Sequence, residues 1–219
     1  DMKLKVNSDG MQDDTYLLEI TLDELDISID SPQGDFSPDV SALAGKGFNM
    51  TLSPLGKEGE ITNAEDLVFT IPSAGERNAS DGLKTFFPDL PALPVTVGYT
   101  WTSQDTITET ANMDLTIIMK SDYTITALQT IDGMACVEVS GDVTGSIMGE
   151  GEQMGAGIAF EGDIEGKETW YFAYKEGIFV SNTVKTFTEG SIAVSGPQNM
   201  TLPMTQEATV EINLLSAEK

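Results

Sequence analysis

Apolar and polar residues alternate with a period of two along most of the chain. Clear examples are MKLKV at residues 2–6 and YTITALQTI at residues 123–131. Such alternation is typical of antiparallel strands that bury one face and expose the other. The parity of the apolar positions changes between Leu22 and Leu25, which predicts a β-bulge near Asp23. The pattern therefore predicts a mainly β protein.

Two hairpins can be assigned from their turn residues. YTITALQTI and MACVEVS are separated by Asp132 and Gly133, which accept the positive φ angles of a type I′ turn. ETWYFAY and IFVSNTVKTF are separated by Lys-Glu-Gly at residues 175–177. In ETWYFAY the aromatic residues share one face, and we expect that face to be core. These residues are Trp170, Phe172 and Tyr174.

Helical signals are few and short. SPDVSALAG at 37–45, TNAE at 62–65 and SDGLKTFFP at 80–88 each carry a capping residue, and proline or glycine limits their length. Helices this short are unstable alone, so we expect the sheet to supply the apolar surface that holds them.

Prolines 88, 91 and 94 recur every third residue, in a segment that leads into VTVGYTWTS. This spacing favours an extended left-handed conformation, and a PxxP recognition motif has the same appearance. The flanking residues include no cation, which favours a rigid connector over a recognition motif. We therefore predict one domain over 1–219, with a helix-bearing N-terminal part at 1–94 and a β-meander at 95–219.

Glycines are concentrated between residues 145 and 166. The GK[ST] ending of a phosphate-binding loop is missing from this segment, and its carboxylates would oppose a phosphate. Strand edges or a long hairpin tip fit the composition better. Bulges and glycines are also what a bent sheet requires. The predicted fold is a strongly curved antiparallel sheet or incomplete β-barrel, with two or three short helices on its concave face. A β-sandwich is the alternative.

The chain is strongly acidic. It has 11 Lys+Arg and 36 Asp+Glu, for a formal net charge of -25. Binding to nucleic acid or to anionic lipid headgroups needs clustered cations, so both are excluded as partners. The sequence contains no apolar run of about 20 residues, so we predict no transmembrane segment.

Candidate catalytic residues are not found. The absence of histidine rules out His-based triads and His-ligated metals. Cys136 is the only cysteine, and we expect it to be a small buried apolar residue. The acidic residues between Asp23 and Asp35 do not follow the EF-hand pattern. We therefore predict a protein that is not an enzyme, with no metal and no cofactor.

The sequence begins at Asp1, inside an alternating strand, which suggests a processed product. We expect the missing N-terminus to have carried a signal sequence or a lipidation cysteine. The expected location is secreted, periplasmic or at the cell surface, with anchoring through that segment as one option.

Three segments together resemble a known family. They are FNMTLSPLGKEGEI (48–61), FFPDLPALPVTVGYTWT (86–102) and GKETWYFAYKEGIFVSNTV (166–184). They resemble an uncharacterised family of secreted bacterial envelope domains, similar to the half-barrel lipoproteins of the lipoprotein-localisation-factor type. The resemblance implies a curved sheet around an apolar cavity and brings no catalytic residues.

We expect a non-enzymatic envelope or extracellular protein that binds an acyl chain, another lipid or a partner segment in that cavity. The expected ligand-cavity residues are Leu83, Phe86, Phe87, Trp101, Trp170 and Phe172. The alternative is a structural or interaction subunit of a surface assembly, with a filled core and a protein partner bound through edge strands.

Overall fold

Strands form most of the molecule. The computed structural model describes residues 1–28, 35–71, 75–92, 94–110, 113–153, 155–196 and 199–217. Strands account for 70% of the residues and 3-10 turns for 3%. Every strand pair in these ranges is antiparallel. The predicted mainly β, antiparallel class is confirmed.

The chain divides into two compact units, Asp1–Ala92 and Leu93–Lys219. The division lies close to the predicted boundary between the two parts of the chain. The proline-rich residues at this boundary, 88–92 and 94–96, belong to no strand or helical turn. The N–H of Leu90 donates to the carbonyl of Leu55 at 2.7 Å, which holds this segment against the first unit.

The first unit contains a four-stranded sheet in the order β1-β2-β3-β4 and a separate hairpin. Lys3 pairs with Glu24 and Leu4 with Leu22, so Asp23 is the extra residue of a β-bulge, as predicted. The strands are β1 (Met2–Gln12), β2 (Thr15–Leu25), β3 (Gly47–Leu52), β4 (Glu58–Thr62), β5 (Val68–Ile71) and β6 (Gly75–Asn78).

The prediction of short helices is wrong. Within the described residues, two single 3-10 turns, Ser41–Leu43 and Asp81–Leu83, take the place of two of them. At the third site Asn63 has φ 60, a left-handed conformation that cannot begin a helix. One turn of hydrogen bonds cannot offset the cost of helix nucleation, so these segments stay at a single turn.

Both 3-10 turns contribute a leucine to the core of the first unit. Leu83 joins a buried cluster, and Leu43 packs with Leu22 and Val40 in a neighbouring cluster. The turns therefore do the packing that we expected of helices. The other buried members of the first cluster are Leu18, Ile20, Phe48, Met50 and Leu67.

The second unit is a six-stranded meander in the order β12-β11-β10-β9-β8-β7. This sheet is open, because β7 and β12 each have one strand neighbour within the described residues. The strands are long: β7 (Thr100–Thr110), β8 (Met113–Ile131), β9 (Met134–Gln153), β10 (Ala156–Ala173), β11 (Ile178–Ser195) and β12 (Met200–Asn213).

Both predicted hairpins are confirmed. Asp132 and Gly133 have φ 49 and 80 and join β8 to β9, as a type I′ turn requires. Gly177 has φ 71, and its N–H donates to the carbonyl of Ala173 at 2.8 Å in the turn between β10 and β11. The glycine-rich segment contains the hairpin between β9 and β10, and most of its glycines lie within the two strands.

The predicted aromatic stripe of β10 is only partly core. Trp170 is 1% exposed, but Tyr174 is 47% exposed. Phe172 is half-buried. The pairing with β11 shifts by one residue between Tyr171 and Phe172, and β10 ends at Ala173. Tyr174 therefore lies in the turn, where the alternation of the strand no longer sets its direction.

Candidate functional site

One face of the six-stranded sheet carries most of its apolar side chains. Cross-strand partners lie on the same face, so the register defines this surface from Trp170 outward. One row across the sheet is Leu115, Gly149, Phe160, Ile192 and Leu202, and the next is Ile117, Ile147, Gly162, Gly190 and Met204. We call this surface the apolar face.

The opposite surface, which we call the polar face, carries most of the charge of these strands. On β10 it presents Glu161, Asp163, Glu165 and Lys167, all exposed. This separation of apolar from charged side chains is what the alternation predicts, and Asp105 and Glu168 are exceptions on the apolar face. It leaves few apolar residues on the polar face, among them Ile118, Met148 and Phe187.

Burial falls along the apolar face. At the end near Trp170, Val139, Val143 and Ile164 are buried. Towards the hairpin between β9 and β10, Leu115, Ile147 and Phe160 are only half-buried. On the edge strand β12, Met200, Leu202 and Val210 are exposed. The outer part of the apolar face thus keeps apolar surface accessible.

Four aromatic rings form a cluster at the buried end of the apolar face. The Trp101 ring lies 5.2 Å from Tyr123 and 6.0 Å from Trp170, measured between ring centroids. Tyr123 and Trp170 meet edge to face at 5.7 Å. Tyr99 extends the cluster, 6.1 Å from Trp101. Edge-to-face and tilted contacts at these distances are favourable geometries for aromatic pairs.

A carboxylic acid is buried beside these rings. Glu168 is 8% exposed. Its Oε2 accepts a hydrogen bond from the Tyr123 hydroxyl at 2.9 Å, and its Oε1 accepts one from Asn182 Nδ2 at 2.7 Å. Burial raises the pKa of Glu168 above its ordinary value, and the two hydrogen bonds oppose that rise. The side chain can therefore hold a proton at a pH where exposed glutamates have lost theirs.

Two further polar atoms are buried in the same place. Among the described residues, neither Nε1 of Trp170 nor Oδ1 of Asn182 has a hydrogen-bond partner. Trp170 and Asn182 are directly paired across β10 and β11, so their side chains are neighbours on one face. The first atom is a donor and the second an acceptor.

Sequence reasoning missed this polar cluster. Glu168 occupies an apolar-face position, two residues before Trp170, and a charge at such a position was the available signal. Its partners Tyr123 and Asn182 lie on β8 and β11, so only the strand register brings them together.

The six predicted cavity residues fall into two groups, one in each unit. Leu83 is buried in the core of the first unit, with Phe86 and Phe87 packed against the same cluster. Trp101 and Trp170 touch in the aromatic cluster of the second unit. Phe172 lies on β10, opposite Phe179 and Val137. A shared role of these six residues around a ligand stays a prediction.

Two grooves of the second unit run between rows of polar-face residues. One of about 700 Å³ runs across β9 to β12. The row Asp142, Lys167, Lys185 and Thr209 forms one wall, and the row Thr144, Glu165, Phe187 and Glu207 forms the other. A smaller groove of about 340 Å³ has the row Met148, Glu161 and Ser191 on one side and the row Ser146, Asp163 and Glu189 on the other. The predicted cavity residues line neither groove.

Other candidate chemistry is limited. Cys136 is fully buried, as expected, and burial raises the pKa of its thiol, which keeps it protonated and unreactive. No three carboxylate or thiol side chains in the described ranges are placed to hold a metal ion. No helix in the described part of the chain has the length and apolar character needed to cross a membrane.

Comparison with known proteins identifies no relative. The chain matches no protein-family model, no curated protein and no solved structure. The family resemblance of the three sequence segments therefore stays an interpretation of the sequence.

Proposed function

We propose that this is a non-enzymatic envelope or extracellular protein that binds an apolar ligand, such as an acyl chain, on the apolar face of the six-stranded sheet. The observation that carries the proposal is the accessible apolar surface of the outer part of that face. Leu115, Ile117 and Phe160 are half-buried, although a filled core would bury them completely. An unbranched chain laid across these rows would cover them.

The glycines support a curved sheet, and hence a concave binding surface. A Cβ on Gly190 would lie 2.0 Å from the carbonyl oxygen of Glu161, and one on Gly145 would lie 2.3 Å from that of Ile118. Both glycines occupy apolar-face positions, so the backbone of the neighbouring strand comes close to them on that side. This is how glycine permits a sharp bend in a sheet. The half-barrel form of the fold is therefore part of the proposal.

At two other glycines of the apolar face, aromatic rings occupy the space that a side chain would fill. Tyr123 pairs with Gly141 and Phe160 pairs with Gly149, and each ring lies over its glycine. Such pairs cover the exposed backbone at a bend. They give the proposed surface a continuous apolar lining across the glycine positions.

The charge restricts the ligand. A net charge of -25 repels anionic headgroups, so a neutral or cationic amphiphile is the better candidate. A monoacylglycerol with a single unsaturated chain is a suitable probe, because its headgroup has no charge.

Two neighbouring isoleucines provide a matched test. Ile117 lies on the apolar face, whereas Ile118 lies on the polar face, and both are half-buried. We expect I117Q to weaken binding of the monoacylglycerol about tenfold, because an amide would be desolvated under the chain. I118Q should leave binding within about twofold. Intrinsic tryptophan fluorescence and native mass spectrometry of the delipidated full chain measure both effects.

Circular dichroism should show that the two variants fold alike. Equal affinity in I117Q and I118Q would contradict the proposal, as would the absence of binding by the wild-type chain. Binding that instead depends on Met148, on the polar face, would move the site to the smaller groove.

A further inference from the structure

The edge strand β12 is the most solvent-exposed strand of the second unit. All but three of its residues are exposed, and β11 is its one strand neighbour within the described residues. Its apolar-face residue Val210 is 52% exposed. At the other edge, the apolar-face residues Trp101 and Ile107 of β7 are half-buried. An exposed edge of this kind can accept another strand.

The backbone of β12 has a defined outward side. The N–H of Leu214 donates to the carbonyl of Val180 at 2.8 Å, so this residue faces β11. In an antiparallel ladder the residues that face the neighbour alternate, so the even-numbered residues of β12 bond to β11. The odd-numbered residues, from Thr201 to Asn213, direct their N–H and carbonyl groups away from the sheet.

Proline divides this outward side into two parts. Pro203 is at an odd position and has no N–H, so it interrupts the outward donors near the start of the strand. Edge strands commonly tolerate proline where the missing N–H would face solvent. From residue 205 to residue 213 each odd position keeps both its donor and its acceptor. This stretch is the open part of the edge.

The side chains of the open stretch indicate which residues a partner strand should carry. On the apolar face the open stretch presents Gln206, Ala208, Val210 and Ile212, whereas Glu207 and Glu211 lie on the polar face. Between the two glutamates is Thr209, which pairs with Lys185. An added strand therefore meets anionic, hydroxyl and anionic positions on one side and apolar positions on the other.

The groove on the polar face reaches this edge. Glu207 pairs with Phe187, and Phe187 is 41% exposed on the wall of the groove. A long basic side chain opposite Glu207 can lay its aliphatic part over the Phe187 ring. Contacts of this kind add an apolar contact to the ion pair.

We propose that residues 205–213 of β12 bind an extended segment of another protein in which basic and apolar residues alternate. The segment adds as an antiparallel strand, with two basic residues opposite Glu211 and Glu207 and an uncharged polar residue opposite Thr209. Main-chain hydrogen bonds supply affinity and the alternating side chains supply specificity. The net charge of -25 attracts such a segment and disfavours a second copy of the chain.

The probe is the synthetic peptide SKVTVKS, with SEVTVES as its charge-reversed control. We expect the first peptide to bind the full chain at least about tenfold more tightly than the second, measured by fluorescence anisotropy at low salt. In the double variant E207K/E211K the preference should reverse. A reversal cannot arise from unfolding, because an unfolded edge would bind neither peptide specifically.

A second variant tests the backbone bonds. T209P removes one outward N–H without changing the charge, at the same parity as the natural Pro203, so the bonds to β11 remain. We expect T209P to weaken the binding of SKVTVKS at least about tenfold. In the wild-type chain the peptide should slow amide exchange at residues 207, 209 and 211.

Three results would overturn the proposal. The first is equal binding of the two peptides, and the second is full affinity in T209P. The third is a stable dimer in sedimentation experiments without peptide that E207K/E211K disrupts, because a second copy would then be the occupant of the edge.

Discussion

At the scale of single residues, the most informative side chain is Glu168. It is a carboxylic acid on the apolar face, between buried Ile164 and buried Trp170. Burial disfavours its charged form, whereas the hydrogen bonds from Tyr123 and Asn182 favour that form. Because burial is the larger effect, Glu168 makes the stability of the fold depend on pH.

The direction of this dependence follows from linkage. A carboxyl whose pKa is raised by folding binds its proton more tightly in the folded state. Its contribution is fully present below the ordinary glutamate pKa of 4.5 and is lost as the pH rises through the raised pKa of Glu168. Glutamine cannot ionise, so we expect the stability of E168Q not to fall in this way. Above the raised pKa of Glu168, E168Q should be more stable than the wild-type chain, on the order of 1 kcal/mol. Urea denaturation at a series of pH values measures the difference.

The matched control is E165Q on the same strand. Glu165 is exposed on the polar face, so E165Q should change the free energy of unfolding by no more than about 0.5 kcal/mol. Hydrogen bonds lower the pKa values of Asp39 and Asp122, so these groups affect stability at more acidic pH. Both are present in the wild-type chain, E168Q and E165Q, so they do not contribute to the difference between them. A stability difference between E168Q and the wild-type chain that is constant with pH would show that Glu168 does not titrate in this way.

At the scale of elements, local signals predicted the strands and turns correctly, but the short helices that they also predicted do not form. Asp132-Gly133 and the parity change at Asp23 each specify a backbone geometry within a few residues, and both are confirmed. The capping signal at 62–65 failed because Asn63 adopts a left-handed conformation at the end of β4. A cap specifies where a helix can begin, but a helix also needs length to offset nucleation.

The long strands depend on close backbone approach at glycine, which gives a prediction at this scale. A Cβ at Gly190 would lie 2.0 Å from the carbonyl oxygen of Glu161 and 2.6 Å from the Cα of Gly162, and neither backbone atom can rotate away. We expect G190A to destabilise the second unit by about 3 kcal/mol, because β10 and β11 must separate. The midpoint of urea denaturation reports the change.

Gly196 provides the control for Gly190. Among the described residues, a Cβ there meets only the Cβ of Ala156, at 3.6 Å, and its φ lies outside the left-handed region. G196A should therefore change stability by no more than about 0.5 kcal/mol. If the two alanine variants were equally stable, close backbone approach at residue 190 would not be a feature of the folded sheet.

At the scale of the whole molecule, composition predicted the charge and periodicity predicted the mainly β class, whereas the contacts of the candidate site depend on the strand register. The predicted cavity residues came from a predicted helical segment at 80–88 and from predicted strands, and these two groups fall in different units. Periodicity shows which residues of one strand share a face. It does not show which strand is the neighbour, and therefore did not predict the contacts of Glu168 or the position of β12 at an edge.

The charge of the whole molecule leads to the last prediction. Ion pairs such as Lys120–Asp122 (2.6 Å) are exposed and add little stability, whereas the net charge of -25 repels itself in the compact state. Salt screens this repulsion, so we expect the free energy of unfolding at neutral pH to rise by about 1–2 kcal/mol between about 0.02 M and about 0.5 M NaCl. Near the isoelectric point of about 4.1 the net charge vanishes, and the rise should disappear. Urea denaturation at the two pH values separates this effect from general salt effects, which would act at both. An equal rise at both pH values would show that self-repulsion does not limit the stability of this fold.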